Sequence, residues 1–327
     1  MADPVALDSW SAEGIHLSDV VAALGELQDR SDGPVSSART AVMTLVGVAH
    51  TEDDARGASA ALRVLAGHHP SRIVLVRPEP DHVASLGART TLYALDSGNH
   101  RTTFEEIVLE VGGQAAHHLD SLVDALTLSD LPVAVWYVNS IPQASDPLLS
   151  VATAVLIDSR DAPDPSQLRT LLALARRRVL VDLSWSRLQP WRELLAGLFE
   201  PVANRPWLES LDEVEISGKT GPRRLLGGWL IAQTGVSPRR VSLHDARHVS
   251  IRLAATRDGN RATFSVERAE EQRLLVAEAA VPGAALAHST SVLPERPLAS
   301  SVATALTHLR PDPVWERALS SAAALGD

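Results

Sequence analysis

Residues 41–48 read AVMTLVGV, residues 53–66 read DDARGASAALRVLA, and residues 73–76 read IVLV. The first and third stretches are unbroken apolar runs of the length that buried strands have. The middle stretch opens with acidic residues and is followed by Gly67, as helices commonly begin and end. A strand, a helix and a second strand in so short a segment predict a parallel βαβ unit, which places the chain in the α/β class.

The rest of the first half extends this unit into a sheet. Further apolar runs predict buried strands, and two alternating stretches predict an antiparallel pair. We therefore predict a Rossmann-like domain with a mainly parallel sheet over residues 1–200. The predicted elements are a helix at 17–27, antiparallel strands at 90–95 and 106–111, a helix at 115–128, apolar strands at 133–136, 154–157 and 179–183, and, after a short turn, a helix at 190–199.

The second half, residues 201–327, has a different pattern and predicts a separate α+β domain. Alternating strands follow one another with little between them, as in an antiparallel meander. Asp258-Gly259-Asn260 is a hairpin turn signal between two of these strands. The predicted elements are strands at 214–217, 241–243, 248–256, 262–266 and 274–281, and helices at 223–234, 297–309 and 313–324.

The bulk composition fits a folded, two-domain chain and excludes several classes of protein. A length of 327 residues exceeds the usual single domain, and 45% hydrophobic residues can supply full cores. The formal net charge of −10 argues against a nucleic-acid binder, because phosphate contacts need clustered lysine and arginine. The absence of cysteine excludes disulfides, thiolate metal sites and thiol nucleophiles.

The sequence shows no targeting or membrane segment. Residues 1–10 include Asp3 and Asp8 and lack the basic and apolar regions of a signal peptide. No apolar run approaches the roughly 18 residues that a membrane-spanning helix needs. We therefore expect a soluble, cytoplasmic protein that does not bind membranes.

Signatures of cofactor, metal and nucleophile sites are incomplete. Residues 216–220 end in the G-K-T of a phosphate-binding loop, but Glu213 stands where that motif needs glycine. Residues 49–54, after the first strand, read AHTEDD and lack the glycines of a dinucleotide-binding turn. The histidine pairs at 68–69 and 117–118 are adjacent, so their side chains point apart, and no G-x-S-x-G elbow occurs. We expect no catalytic residue, no cofactor and no metal.

Residues 182–195, DLSWSRLQPWRELL, place two tryptophans and two arginines within eight positions. Exposed or half-exposed Trp–Arg pairs are typical of partner-binding surfaces. In the alternative interpretation, both tryptophans fill a domain junction. Arg187 and Arg192 would form bidentate pairs with carboxylates, and Asp182 and Glu193 are the local candidates unless a partner supplies them. The spacing does not choose between a surface and an internal contact.

Asp158, Ser159 and Arg160 follow an apolar strand, at the carboxyl end where α/β sheets usually bind ligands. They are the candidate ligand residues of the chain. The alternative interpretation is that they cap and pair within their own loop.

Several stretches resemble those of one family, the OpcA glucose-6-phosphate dehydrogenase assembly proteins of actinobacteria and cyanobacteria. Residues 182–194 are similar to its D-L-x-W-x-R-x-x-x-W-R-E-L signature, and six further stretches follow the family's order. These are a first strand at 41–46, H-P-S-R at 69–72, L-P-V-x-x-W at 131–136, a strand end at 157–160, a G-W-L helix at 226–230, and a closing helix at 312–319 with Trp315 where the family usually has tyrosine.

The resemblance implies a non-enzymatic protein that binds glucose-6-phosphate dehydrogenase and promotes its active oligomer in the oxidative pentose phosphate pathway. The lack of cysteine departs from cyanobacterial members and implies regulation by a route other than thiols. A sensor of a sugar phosphate or nucleotide is the alternative function, and self-association is left open. The expected partner-binding residues are Trp185, Arg187, Trp191 and Arg192, followed by His69, Ser71 and Arg72.

Overall fold

The computed structural model describes residues 4–31, 41–66, 70–97, 100–161, 165–269, 273–295 and 297–325. Within these residues the chain is mixed α/β, with one largely parallel sheet and one mainly antiparallel sheet. The α/β class predicted from the sequence is confirmed at this level. The strands are β1 (Val5–Glu13), β2 (Met43–Val48), β3 (Ser71–Glu79), β4 (Leu86–Ser97), β5 (His100–Gly112), β6 (Val133–Tyr137), β7 (Ala154–Ile157), β8 (Val179–Asp182), β9 (Leu211–Gly218), β10 (Val241–Asp245), β11 (Ser250–Arg257), β12 (Asn260–Arg268), β13 (Leu274–Ala280) and β14 (Ala287–Val292).

The helices alternate with the strands in the first half and cluster towards the end of the second. Among the described residues, none of them combines the length and the apolar character needed to cross a membrane. The α-helices are α1 (Leu17–Ser31), α2 (Glu52–Ala66), α3 (Leu119–Asp124), α4 (Pro165–Ala175), α5 (Leu183–Arg187), α6 (Gln189–Gly197), α7 (Arg205–Leu208), α8 (Thr220–Thr234), α9 (Leu298–Thr307) and α10 (Pro313–Ala324).

The chain divides into two compact units, each assembled from separate segments. The first unit holds residues 1–157, 178–181 and 297–310, and the second holds residues 158–177, 182–296 and 311–327. The sequence predicted a boundary near residue 200 between two domains that would each fold alone. That boundary stays a prediction.

The first unit is organised by an eight-stranded sheet in the order β1-β4-β5-β3-β2-β6-β7-β8. The predicted βαβ unit is confirmed, because β2 and β3 pair in parallel with α2 between them in the chain. The predicted antiparallel pair is β4 and β5. Gly47 in β2 leaves room for Leu75 of the neighbouring strand β3 and Leu62 of α2, since a Cβ there would lie 2.8 Å from Leu75 Cδ1 and 3.4 Å from Leu62 Cδ1.

The second unit is organised by a six-stranded sheet in the order β10-β9-β11-β12-β13-β14. Strands β9 and β10 pair in parallel, and the other neighbours pair antiparallel. The predicted hairpin turn joins β11 to β12, with positive φ at Asp258 and Gly259. These are the backbone conformations that a tight hairpin turn requires.

Helices α8 and α10 of this unit pack at very short range. A Cβ at Gly228 in α8 would lie 2.1 Å from the carbonyl oxygen of Ala318 and 2.6 Å from the amide nitrogen of Ala322 in α10. Only glycine leaves room for the two backbones, so the G-W-L stretch of the sequence marks a helix contact.

Some predicted elements are wrong in extent. The helix expected at 115–128 is a 3₁₀ turn at Gly113–His117 followed by the short α3. His118 separates them because its backbone, with φ −126° and ψ 40°, is not helical. The short turn expected before residue 190 is itself helical, as α5. Strands β1 and β14 were not expected from the sequence.

Candidate functional site

The Trp–Arg element begins at Asp182, the last residue of β8. The Asp182 side chain caps α5 by accepting a hydrogen bond from the Ser184 amide at 2.9 Å. The same carboxylate accepts hydrogen bonds from the Ser159 amide at 3.1 Å and the Ser159 hydroxyl at 2.6 Å. Asp182 is 3% exposed and Ser159 is fully buried. This carboxylate therefore fixes the start of α5 against the loop at residues 158–161.

A second capping aspartate mirrors the first. Asp312 caps α10 by accepting hydrogen bonds from the Val314 and Trp315 amides at 2.9 and 3.0 Å. The Trp185 indole N–H donates to Asp312 at 2.8 Å, and the Trp315 indole N–H donates to Asp182 at 3.3 Å. Each aspartate thus caps its own helix and binds the indole of the other helix. We call these four residues, Asp182, Trp185, Asp312 and Trp315, the reciprocal D-x-x-W pair.

Both arginines of the element are engaged within the second unit. The Arg192 guanidinium lies over the Trp185 ring, 3.5 Å from its centroid, and donates to the Trp185 carbonyl at 3.4 Å. Arg187 pairs with Asp158 at 2.5 Å. The local candidates Asp182 and Glu193 are thus not the observed partners: one arginine stacks on an indole, and the other pairs with a carboxylate of the neighbouring loop.

Burial dominates the electrostatics of this cluster. Burial raises the pKa of the Asp182 carboxyl to about 6, although hydrogen bonds from Ser159 and Ser184 favour the carboxylate. Burial lowers the pKa of Arg192 to about 10, and the charge of Asp312 opposes this shift. At neutral pH the guanidinium therefore stays protonated, and Asp182 is an anion close to its titration range.

The spacing of the tryptophans left a surface and an internal position open, and both indoles are buried. Trp185 is 4% exposed and Trp191 is 8% exposed. Trp191 lies on the buried face of α6 with Leu195. The arginines are the more accessible part, since the Arg187 side chain is 28% exposed and Arg192 is half-buried. Of the four residues proposed from the sequence, the two arginines are therefore the ones that a partner could reach.

The predicted ligand residues belong to the same packed cluster. Asp158 accepts a hydrogen bond from the Arg160 amide at 3.0 Å in addition to its pair with Arg187. A Cβ at Gly221 would lie 1.8 Å from the Ser159 carbonyl oxygen, so the start of α8 packs directly against this loop. These contacts match the capping and pairing interpretation, and a ligand at this loop stays a prediction.

The second predicted element lies at the start of β3 in the first unit. Ser71 is 2% exposed. Arg72 donates to the Glu105 carboxylate and to the Leu126 carbonyl, both at 3.0 Å. Ser71 and Arg72 both line a cavity of about 500 Å³. His69 lies outside the described residues, and the partner-binding role of this element stays a prediction.

The cluster around Asp182 can position groups for recognition. The Ser159 hydroxyl donates to Asp182, and Ser159 is fully buried, so it presents no surface to a substrate in this structure. In the part of the chain that the structure describes, no group of three histidine, aspartate or glutamate side chains is placed to hold a metal ion. The reciprocal D-x-x-W pair therefore joins two helices, and its contacts, with Asp158, hold the two arginines near the surface.

Comparison with protein families places two matches in tandem along the chain. Residues 62–176 match the family described as the N-terminal domain of the glucose-6-phosphate dehydrogenase subunit. Residues 178–319 match the family described as the C-terminal domain of the same protein. The chain belongs to the OpcA family. The resemblance drawn from its motifs is thereby confirmed.

Three cyanobacterial relatives are each named OxPP cycle protein OpcA. The Synechocystis protein is 29% identical over 188 residues, which cover 53% of this chain and 39% of the relative. The Synechococcus elongatus protein is 27% identical over 200 residues, covering 58% and 44%. The Nostoc punctiforme protein is 24% identical over 252 residues, covering 69% and 54%. The chain thus spans about half the length of these OpcA proteins or less.

Two solved structures from Sinorhizobium meliloti are distant likenesses. A myo-inositol dehydrogenase aligns over 86% of this chain and 94% of its own, with a TM-score of 0.38. An oxidoreductase aligns over 87% and 89%, with a TM-score of 0.36. Both are 12% identical to this chain. These scores are too low to carry an argument about the OpcA fold or its activity.

Sequence reasoning missed how the OpcA signature is held in place. Residues 182–185 and 312–315 both read D-x-x-W, and this repeated spacing is the signal that could have paired them. An aspartate before a helix caps the second or third residue, which is where each tryptophan stands. Periodicity alone gave no reason to expect that each indole would bind the other aspartate.

Proposed function

We propose that this chain is a non-catalytic assembly factor that binds glucose-6-phosphate dehydrogenase and promotes its active oligomer. The observation that carries the proposal is the tandem match to both domains of a family described as a glucose-6-phosphate dehydrogenase subunit. The names of the cyanobacterial relatives add the oxidative pentose phosphate cycle as its setting. NADP and glucose 6-phosphate would belong to the dehydrogenase, so this chain would need no cofactor of its own.

The proposed activation is a shift of an existing equilibrium. A protein that binds the active oligomer more tightly than the inactive form raises the active fraction by its differential affinity. A tenfold difference in affinity corresponds to about 1.4 kcal/mol, which a few interfacial contacts can supply. No reaction on the chain itself is required.

Arg187 and Arg192 are the proposed contact groups of the Trp–Arg element. They keep exposed surface, whereas Trp185 and Trp191 are buried and would position them. Arginine is enriched in the energetically dominant parts of interfaces because its planar fork binds carboxylates. His69, Ser71 and Arg72 are proposed as a second contact element.

The setting of this function is also part of the proposal. The parallel run β3-β2-β6-β7 supports a Rossmann-like first domain. We propose domain limits of 1–200 and 201–327 and a cytoplasmic location, with neither nucleic acid nor membrane as a partner.

The test of the contact residues is co-elution with the dehydrogenase of the same organism. We expect Arg187→Ala combined with Arg192→Ala to weaken complex formation at least about tenfold, as loss of an arginine hot spot does. The matched control is Arg176→Ala with Arg177→Ala, which removes two exposed arginines of the same unit and the same net charge.

The fold of the double variant is checked separately, because Arg187→Ala leaves Asp158 without its ion pair. Circular dichroism and thermal unfolding report on that loss.

Replacing both arginines by lysine keeps the charges but removes the forked geometry. A folded Ala double variant that co-elutes as tightly as the control would remove these arginines from the interface.

Sensing of a sugar phosphate or nucleotide at Asp158, Ser159 and Arg160 ranks second. The contacts of this loop with Asp182, Arg187 and Gly221 support a packing role. Assembly of the dehydrogenase is therefore the function that we put first.

A further inference from the structure

A cavity of about 440 Å³ opens in the first unit at the carboxyl ends of three parallel strands. His50 follows β2, Pro80 follows β3, and Tyr137 ends β6, and all three line the cavity. Cavities that bind small molecules have volumes of roughly 300–1,000 Å³. The size therefore fits a small metabolite.

The topology marks this end of the sheet as a binding position. From β2 the chain runs through α2 to β3 on one side, whereas β6 lies on the other side of β2. The strand order reverses between β2 and β6, and in open α/β sheets ligands bind in the crevice at such a switch point. Val48 and Tyr137, the last residues of β2 and β6, are register partners there.

The two loops that border the switch point are tied together. Asn139, just after β6, has a positive φ of 48° and donates from its side-chain amide to Asp54 in α2 at 2.6 Å. Asp54 in turn is bonded to Thr51 at 2.7 Å. These bonds restrain the loops that carry the lining residues His50 and Ser140, and such restraint lowers the entropy cost of binding.

Polar side chains are buried in the cavity wall. The Tyr137 side chain is 2% exposed, and its hydroxyl interacts with the Asp146 carboxyl group. The Ser140 hydroxyl is buried without a partner among the described residues. Because leaving a buried polar group unpaired costs free energy, nearly all such groups in proteins are paired. A ligand in the cavity could supply the partner that the Ser140 hydroxyl lacks.

The charges around the cavity disfavour an anionic ligand. Its lining includes no lysine or arginine among the described residues, and it includes His50, His117 and the Asp146 carboxyl group. Residues 52–54 are all acidic and crowd the first turn of α2, where a phosphate would otherwise bind. A phosphate group would therefore meet acidic side chains without a lysine or arginine to compensate them.

We propose that this cavity binds an uncharged, polyhydroxylated small molecule of the sugar class. Tyr137, Ser140 and Asp146 supply hydroxyl and carboxylate groups that can pair with sugar hydroxyls. Pro78, Pro142 and Pro147 supply apolar surface for the C–H faces of a sugar ring. The site is independent of the Trp–Arg element and of the proposed dehydrogenase contact.

Titration calorimetry on the full chain tests the ligand class. The uncharged probes are D-glucose, D-ribose and sucrose, with glucose 6-phosphate as the anionic comparator and D-glucosamine as the cationic one. We expect saturable binding of at least one uncharged sugar, and at least tenfold weaker binding of glucose 6-phosphate than of D-glucose.

The two tyrosines of the chain provide a matched pair of variants. Tyr137→Phe removes the hydroxyl that interacts with Asp146 in the cavity wall, so we expect about tenfold weaker sugar binding by the folded variant. Tyr93→Phe removes a hydroxyl that accepts a hydrogen bond from Arg63 at 2.6 Å, away from the cavity lining. We expect it to lower the unfolding midpoint and to leave sugar binding unchanged.

Three results would overturn the proposal. They are no saturable binding by any of the uncharged sugars, binding by a charged comparator alone, and sugar binding that Tyr137→Phe leaves intact. Ser140→Ala gives a second check that does not depend on the tyrosine, and it should also weaken binding without loss of fold.

Discussion

Asp312 divides its two carboxylate oxygens between local and tertiary structure. Oδ1 accepts the Val314 and Trp315 amides and caps α10, whereas Oδ2 accepts the Trp185 indole. An aspartate is often chosen before a helix for capping alone. Here the same side chain also joins two helices that are far apart in the chain, which explains why the tryptophans of both D-x-x-W segments are buried.

A double-mutant cycle between Trp185 and Asp312 tests this division. Asp312→Asn keeps the capping oxygen and replaces the indole acceptor by a donor, so Trp185→Phe should cost less in that background. We expect a coupling free energy of about 1.5–3 kcal/mol, the usual range for a hydrogen bond to a charged group. Urea unfolding of the wild type, both single variants and the double variant measures it. Additive costs would show that the indole bond contributes nothing to stability.

The raised pKa of Asp182 predicts a pH dependence of stability. The folded pKa is about 6, and an unfolded aspartate has a pKa of about 3.9. Between these values the folded state binds more protons than the unfolded state, so stability rises as the pH falls. The gain should approach about 3 kcal/mol below the unfolded pKa, and it is lost as the pH rises through the folded pKa.

Asp182→Asn isolates this contribution, because all other groups titrate in both proteins. The free energy of unfolding of the wild type, relative to the variant, should increase on acidification from neutral pH. Chemical unfolding at a series of pH values measures the difference. A constant difference across this range would mean that Asp182 titrates alike in the folded and unfolded states.

At the scale of elements, apolar periodicity predicted most strands and helices. The runs at β2, β3, β6 and β7 are buried on both faces, and such runs are visible in the sequence without any partner. Strand β14 was missed because nearly all of its side chains are exposed, so only backbone pairing with β13 defines it. Edge strands of this kind leave no apolar pattern to detect.

The contact between α8 and α10 gives an element-scale prediction. Glycine to alanine inside a helix normally stabilises by about 0.5–1 kcal/mol. Gly228→Ala should instead destabilise by about 1–3 kcal/mol, because its Cβ would overlap the α10 backbone at Ala318. Gly57→Ala in α2 is the matched control, since nothing lies within 4 Å of its Cβ. Equal effects of the two substitutions on urea unfolding would contradict the observed packing.

At the scale of the whole molecule, the sequence predicted the class of fold and the family but not the hydrogen bonds and ion pairs that build the site. Trp185 and Arg187 were recognised as a unit by their spacing. Their partners, Asp312 and Asp158, lie 127 and 29 residues away. Contacts over such separations depend on the assembled fold, and only the repeated D-x-x-W spacing pointed to one of them. The same holds for the cavity at β2, β3 and β6, whose wall is built from loops spread through the first unit.

The central claim, that the chain activates glucose-6-phosphate dehydrogenase, is tested most directly by the initial rate of that enzyme from the same organism. The rate is measured at fixed enzyme concentration with increasing amounts of this protein. The account predicts a saturable rise in rate, and no dehydrogenase activity of the chain alone. An unchanged rate at every ratio, with a dehydrogenase that is active and not already fully assembled, would contradict it.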